Sequence, residues 1–245
     1  MTEPSGKTAA RRWPVLLLAL PAFAVLVALG LWQLDRLAWK RALIAELAER
    51  SSEEPLPLPD PVTDPEALEF RPIRVTGRFL HDRELYLGAR THQGASGFEV
   101  VTPFLLTDGR TLLINRGWTP PDAKAPEARA KGLVPGEVEL VGLARLGGWK
   151  GMKWLEPAND PAGNLWIWLD LPAMAAAAKL ERPVTELYLA ALPGQHPGRY
   201  PLGGATRLEL RNDHLQYALT WFSLAGILLV ITLILIFRRP RSARG

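Results

Sequence analysis

Asn212-Asp213-His214-Leu215-Gln216-Tyr217-Ala218-Leu219-Thr220-Trp221-Phe222 runs directly into SLAGILLVITLILIF (223–237), and no charged side chain occurs in residues 217–237. About twenty apolar residues suffice for a helix to cross a bilayer. His214 therefore stands one helical turn outside an apolar span. Tyr217 and Trp221 follow it at three and seven residues. Seven residues advance a helix by about 10.5 Å and bring it almost back to the same azimuth, so imidazole and indole share one stripe at the membrane surface. Two readings stand side by side. Imidazole is a frequent metal ligand and an axial ligand of haem iron, and an ionisable group beside the bilayer marks a candidate site. Alternatively, His214 is wetted by headgroups while Tyr217 and Trp221 form an aromatic belt.

Working outward, a second uncharged stretch, PVLLLALPAFAVLVALGLWQL (14–34), meets the same length requirement. It is too long for a signal-peptide core, and Gly30-Leu31-Trp32-Gln33 offers no small-residue cleavage site. It is expected to remain as an anchor, kinked at Pro21. Two spans place both termini on one side. Arg238, Arg239, Arg241 and Arg244 crowd the exit of the second span without an acidic neighbour, which predicts cytoplasmic termini. The roughly 180 residues between the spans are then exported, since so long a loop translocates largely regardless of charge. The net charge of +4 owes much to the tails and argues for membrane topology rather than nucleic-acid binding.

The chain has no cysteine, which excludes structural disulfides, thiolate zinc sites and a cysteine nucleophile. Three methionines, Met1, Met152 and Met174, make a soft copper site improbable by composition. The short first tail lacks the pattern of an organelle transit peptide, so a bacterial inner membrane is the expected home, with the mitochondrial inner membrane as the alternative.

The expected organisation is a cytoplasmic tail (1–13), a first span (14–34) prolonged as an amphipathic stalk to about residue 50, a linker (51–65), an exported domain (66–211), the second span with its outer entry (212–237) and a basic tail (238–245). Trp32, Arg36 and Trp39 are spaced by four and three, and Leu37, Ile44 and Leu47 continue an apolar stripe along the stalk. The linker SSEEPLPLPDPVTDP carries five prolines and reads as extended chain. Beyond it, residues 70–80, 84–90, 97–106, 111–118, 137–145, 164–169 and 184–192 read as strands. Thr107-Asp108-Gly109-Arg110 is a hairpin signal. Residues 171–180 read as the one helix, capped by Asp170 and centred on four alanines. The predicted fold class is a two-span α+β membrane protein, whose exported domain is an antiparallel sandwich or barrel with one helix.

Among the motifs, Asn115-Arg116-Gly117-Trp118 closes a hairpin strand. It reads either as an anion or partner site built on Arg116, or as a strand end where Gly117 permits a bulge and Trp118 enters the core; the second is favoured. Trp149-Lys150-Gly151-Met152-Lys153-Trp154 interleaves aromatics with cations, as single-strand binders do. A loop lying near headgroups explains it equally well and suits a doubly anchored domain better. Hydrolase chemistry finds little support. Gly94-Ala95-Ser96-Gly97-Phe98 lacks the last glycine of a nucleophile elbow, and no metalloprotease or phosphate-cradling motif occurs.

Gly30-Leu31-Trp32-Gln33-Leu34-Asp35-Arg36, closed by Trp39-Lys40, resembles the first-span signature of the surfeit locus protein 1 family. The resemblance continues in order through Glu84-Leu85-Tyr86-Leu87-Gly88, Gly97-Phe98-Glu99-Val100-Val101-Thr102-Pro103-Phe104, Asn115-Arg116-Gly117-Trp118, Pro157-Ala158-Asn159, Asn164-Leu165-Trp166, Trp168-Leu169-Asp170 and His214 to Phe222. It covers about residues 30–235. Ala89 stands where the family often has proline, and Trp154 where phenylalanine is expected.

The resemblance implies a non-enzymatic assembly factor of cytochrome c oxidase. It would receive haem a from haem a synthase and present it to subunit I, the catalytic subunit. It also implies that His214 is the axial ligand of the haem iron and that Trp221 belongs to the haem site, with the farnesyl tail in the lipid bilayer. Tyr217 joins them by its place on the stripe. Arg207 and Arg211 lie where they could meet propionates through charge-assisted hydrogen bonds, a role read from their position. The remaining signature residues are the candidate partner contacts: Trp32, Gln33, Arg36 and Trp39, with Asn115, Arg116, Gly117 and Trp118. No nucleic-acid partner is expected. The competing readings are a cofactor-free membrane scaffold for oxidase subunits and, with less support, an anchored exported enzyme.

Overall fold

A computed structural model describes residues 13–195, 197–204 and 212–237. The chain divides into two compact units, one of Glu46–Leu208 and one combining Met1–Ala45 with Glu209–Gly245. The described residues form helices α1 (Trp13–Ser51), α2 (Pro65–Leu68), α3 (Leu171–Ala177) and α4 (His214–Phe237).

α1 and α4 carry the two apolar runs. α1 is a single helix of 39 residues that continues through Pro21, so span and stalk are one element, as the apolar stripe predicts. Its buried residues are Gly30, Gln33 and Leu37, spaced three and four apart on one face. Those of α4 are Ala218, Ala225 and Thr232, spaced seven apart. Small residues on such a stripe let helix backbones approach closely. Gly30 shows the need: a Cβ there would lie 2.6 Å from Phe222 Cε1. The rest of both helices is open, with only 6% and 11% of the most apolar windows buried. Surface this apolar is stable against lipid rather than water.

The described residues of the other unit form seven strands, β1 (Leu56–Pro57), β2 (Pro72–Phe79), β3 (Leu85–His92), β4 (Ala95–Leu106), β5 (Thr111–Thr119), β6 (Val138–Arg145) and β7 (Tyr188–Ala191). They lie in the order β1-β2-β6-β7-β5-β4-β3. A further pairing of β2 with β4, where Gly77, Arg78 and Phe79 face Leu106, Leu105 and Phe104, closes β2, β6, β7, β5 and β4 into a ring. Barrel rather than sandwich is thus the outcome. Two pairings depart from the antiparallel expectation: β1 lies parallel to β2, and β7 parallel to β5. β7 can do so because the chain from β5 to β7, which runs through β6 and α3, is long enough for a crossover.

Alternation along the central strands serves two cores. Leu112, Ile114, Leu189 and Ala191 join Ile73, Phe79 and Phe104 in one cluster. Their neighbours Leu113, Tyr188 and Ala190 pack in the other with Trp166, Leu171 and Met174, the last two from α3. Strands covered on both faces read as continuous apolar runs, which is how Leu112-Leu113-Ile114 of β5 and the whole of β7 stand in the sequence.

Three local expectations are corrected. Residues 164–169 form no strand beyond isolated bridges. Asn159 Oδ1 accepts the N–H groups of Ile167 (2.8 Å) and Trp168 (3.3 Å), replacing a ladder with side-chain bonds. The proline-rich linker is not a free spacer: Leu56, Leu58 and Val62 pack against the barrel core, and Pro65 opens α2 under an Asp64 cap. α3 keeps its predicted Asp170 cap but stops at Ala177 rather than residue 180. Lys179 turns left-handed (φ 50°), while the N–H groups of Lys179 and Leu180 bond the carbonyls of Ala176 and Ala175. This closure is a Schellman motif, and it ends the helix.

Candidate functional site

His214 is the first residue of α4 and is half-buried. The N–H of Tyr217 reaches the Asp213 carbonyl at 3.2 Å, so Asp213 stands at the cap position and His214 opens the first turn. His214 Nδ1 lies 2.7 Å from Gln33 Oε1. An amide oxygen only accepts, so the imidazole donates its Nδ1–H, and in the neutral ring the lone pair is then on Nε2. Gln33 is itself buried, one turn along α1 from the Gly30 contact with Phe222. The bond thus lies between two apolar helices with its Gln33 end buried, where a hydrogen bond left unmade is costly.

What can such an arrangement hold? Among the described residues no group of three or more His, Asp or Glu side chains is placed to bind a bare metal ion. A lone imidazole presenting Nε2 suits a metal whose other positions are already filled, as haem iron is within its macrocycle. The surroundings agree in polarity. Trp221 is half-buried on the His214 face, together with buried Ala218 and Ala225. Tyr217 is turned outward and is half exposed. Arg207 and Arg211, expected to meet propionates, lie outside the described residues.

The first-span signature separates into two groups. Gln33, expected to contact a partner, is instead engaged with His214 inside the helix pair. The signal for this was present: Gln33 is the one polar amide in residues 14–34, and an intramembrane polar group seeks a partner. Trp32, Arg36 and Trp39 remain on the outer surface. The Arg36 guanidinium lies 5.9 Å from the Trp32 ring and 5.2 Å from the Trp39 ring, held by cation–π attraction one turn to either side.

The hairpin motif is core, not a docking surface. Asn115, Arg116 and Trp118 are 3%, 0% and 5% exposed, which corrects the expectation of partner contacts there. The register of β4 and β5 shifts between Val100 and Val101, so that Val100 faces Gly117 and Val101 faces Asn115, leaving Arg116 as the bulged residue. Gly117 adopts φ 107°, and a Cβ there would lie 1.9 Å from the Leu202 carbonyl oxygen. Arg116 reaches the Gly132 carbonyl and, at 3.3 Å, Glu84 Oε1. Arg129 binds Glu84 through both terminal nitrogens, and His81 Nδ1 stands 3.5 Å from the same carboxylate. Burial works against ionisation of Glu84, yet hydrogen bonds from His81 and Arg129 and the charges of Arg129 and Arg116 outweigh it and hold the carboxyl at about 2. Burial brings Arg116 down to about 10. The sequence does not announce this cluster: Glu84 and Arg116 stand in separate motifs, Arg129 in none, and no local pattern along the chain says that the three meet.

At Ala89 β3 is bulged and φ is 52°, a conformation closed to proline.

The SURF1 family model matches residues 20–226. The chain is 41% identical over 230 residues to Surfeit locus protein 1 of Mus musculus, covering 88% of this chain and 72% of that protein. It is 40% identical over 232 residues to Surfeit locus protein 1 of Homo sapiens, covering 88% and 74%. With a SURF1-like protein of Monosiga brevicollis it shares 36% identity over 242 residues, covering 94% and 91%.

Proposed function

The chain belongs to the SURF1 family, and from that membership we propose that it is an assembly factor of cytochrome c oxidase that binds haem a and assists its delivery to subunit I. The observation that supports the cofactor part is the His214–Gln33 pair: a histidine at the mouth of a span, oriented through Nδ1, with Nε2 left to ligate. When bound, haem would supply an iron able to take an imidazole nitrogen as ligand. His214 would hold it, Trp221 lies along the same face, and the apolar sides of α1 and α4 suit a farnesyl tail that stays in lipid. In this reading the termini are cytoplasmic in a bacterial inner membrane and the β domain is exported. There Lys150 and Lys153, beside the exposed Trp154 and Leu155, suit headgroup contact. Haem a synthase and subunit I are the proposed protein partners, and Trp32, Arg36 and Trp39 remain on the surface for them.

The test is full-length protein purified after co-expression with the enzymes of haem a synthesis. A Soret band is expected in the wild type and its loss in His214→Ala. A band unchanged by that substitution would sink the ligand assignment. Absence of haem from both proteins would favour the cofactor-free scaffold.

A further inference from the structure

We propose that Gln33 is a positioning residue for the haem site: its amide oxygen holds His214 as the Nδ1–H tautomer, and its neutrality keeps Nε2 a ligand weak enough to hand its cargo on. The proposal rests on the haem-binding reading of His214 and adds what that reading leaves open, namely how the imidazole is aimed and why it can let go.

Three observations carry it. First, the contact is short and specific, 2.7 Å from Nδ1 to Oε1. Free imidazole can place its proton on either nitrogen, and the bond made by one nitrogen decides which lone pair the other offers. Second, both ends of the bond are held by packing. Gln33 is buried between Gly30 and Leu37 on the inner face of α1, and Gly30 lies against Phe222 of α4. The aim of the imidazole is therefore set by the helix pair rather than by a mobile side chain. Third, the acceptor is an amide. Ligating histidines commonly donate their second N–H to a carboxylate, carbonyl or water, and a carboxylate raises ligand basicity. A stable haem protein gains from that. A carrier does not, because a ligand that binds harder also releases more slowly. Residues 14–34 carry no acid, so the partner built into this span is neutral.

A plainer reading of Gln33 is interhelical glue, one polar bond joining two spans. Glue would stabilise the pair without fixing a tautomer, so the tautomer is the readout that separates them. The experiment uses the full-length chain in nanodiscs with 15N-labelled histidine, His214→Ala to assign the signals, and the variants Gln33→Leu and Gln33→Glu, each checked for helix content. Haemin is the probe for affinity, and apomyoglobin in excess captures what is released.

The cofactor-free wild type is expected to show His214 with its proton on Nδ1. Gln33→Leu should lose that preference and bind haemin about 10–100-fold more weakly, the usual effect of removing a ligand's supporting partner. Gln33→Glu should restore the tautomer, bind at least as tightly as wild type and release haemin more slowly. A proton on Nε2 in the wild type, or tautomer and affinity unchanged in Gln33→Leu, overturns the proposal. So does release from Gln33→Glu as fast as from wild type. If His214→Ala binds haemin like wild type, the ligand reading falls instead, and the tautomer in the cofactor-free protein still decides whether Gln33 orients His214.

Discussion

Glu84 concentrates the buried charge of the β domain in one carboxylate. It accepts from Arg129 at 3.1 Å and again through the second nitrogen, from Arg116 at 3.3 Å and from the Thr102 hydroxyl at 3.3 Å, with 2% of its side chain exposed. A group held at about 2 in the fold against an ordinary 4.5 stabilises the folded state above pH 4.5, and that stability drains away as pH falls toward 2. The full difference is about 3 kcal/mol. Urea unfolding followed by tryptophan fluorescence should show this loss across the acid window. Glu84→Gln should cost ~3–5 kcal/mol at neutral pH, because two buried guanidinium groups lose their counter-charge. Its stability should then vary far less between pH 4.5 and 2; an equally steep acid limb in the variant would place the dependence elsewhere. Little of this was legible from single residues. Arg116 and Glu84 each stood in a motif, but Glu84 and Arg129 are 45 positions apart and meet only because the barrel brings the start of β3 against the turns after β5.

Helices and strands differ in how openly the chain announces them. α3 was readable at its start, where the Asp170 carboxylate accepts the Ala173 N–H at 3.1 Å, but not at its end, where closure fell to a left-handed lysine. The hairpin of β4 and β5 was readable from Asp108-Gly109. Its bulge was readable in kind but not in consequence, since the atom that forbids a side chain at Gly117 is the carbonyl of Leu202, 85 residues away. This makes a test at the level of the strand. Gly117 and Gly94 both have positive φ, at 107° and 83°, but a Cβ at Gly94 meets nothing within 4 Å. Gly94→Ala should cost only the backbone strain, ~1–2 kcal/mol. Gly117→Ala should cost clearly more, because β5 must part from the segment at Leu202. Equal losses in thermal unfolding would show that the close approach contributes nothing.

At the scale of the molecule, the two units draw on different solvents. Both apolar clusters of the β domain lie wholly within Glu46–Leu208, so its core needs nothing from the spans. The fragment 46–208 is therefore expected to unfold cooperatively as a water-soluble protein, and to show no haemin Soret shift at a concentration that saturates the full chain. Haemin binding by the fragment would move the site into the barrel. The sequence by itself determined the spans, the order and spacing of most strands, the family and the position of His214, because length, hydropathy period and turn residues are local properties. Tertiary structure alone decided that the sheet closes through β2 and β4, that Asn115-Arg116-Gly117-Trp118 lies inside, and that the last helix's histidine is held by Gln33, 181 positions earlier. Contacts of that kind depend on which elements come together in space, and no local pattern along the chain encodes the meeting.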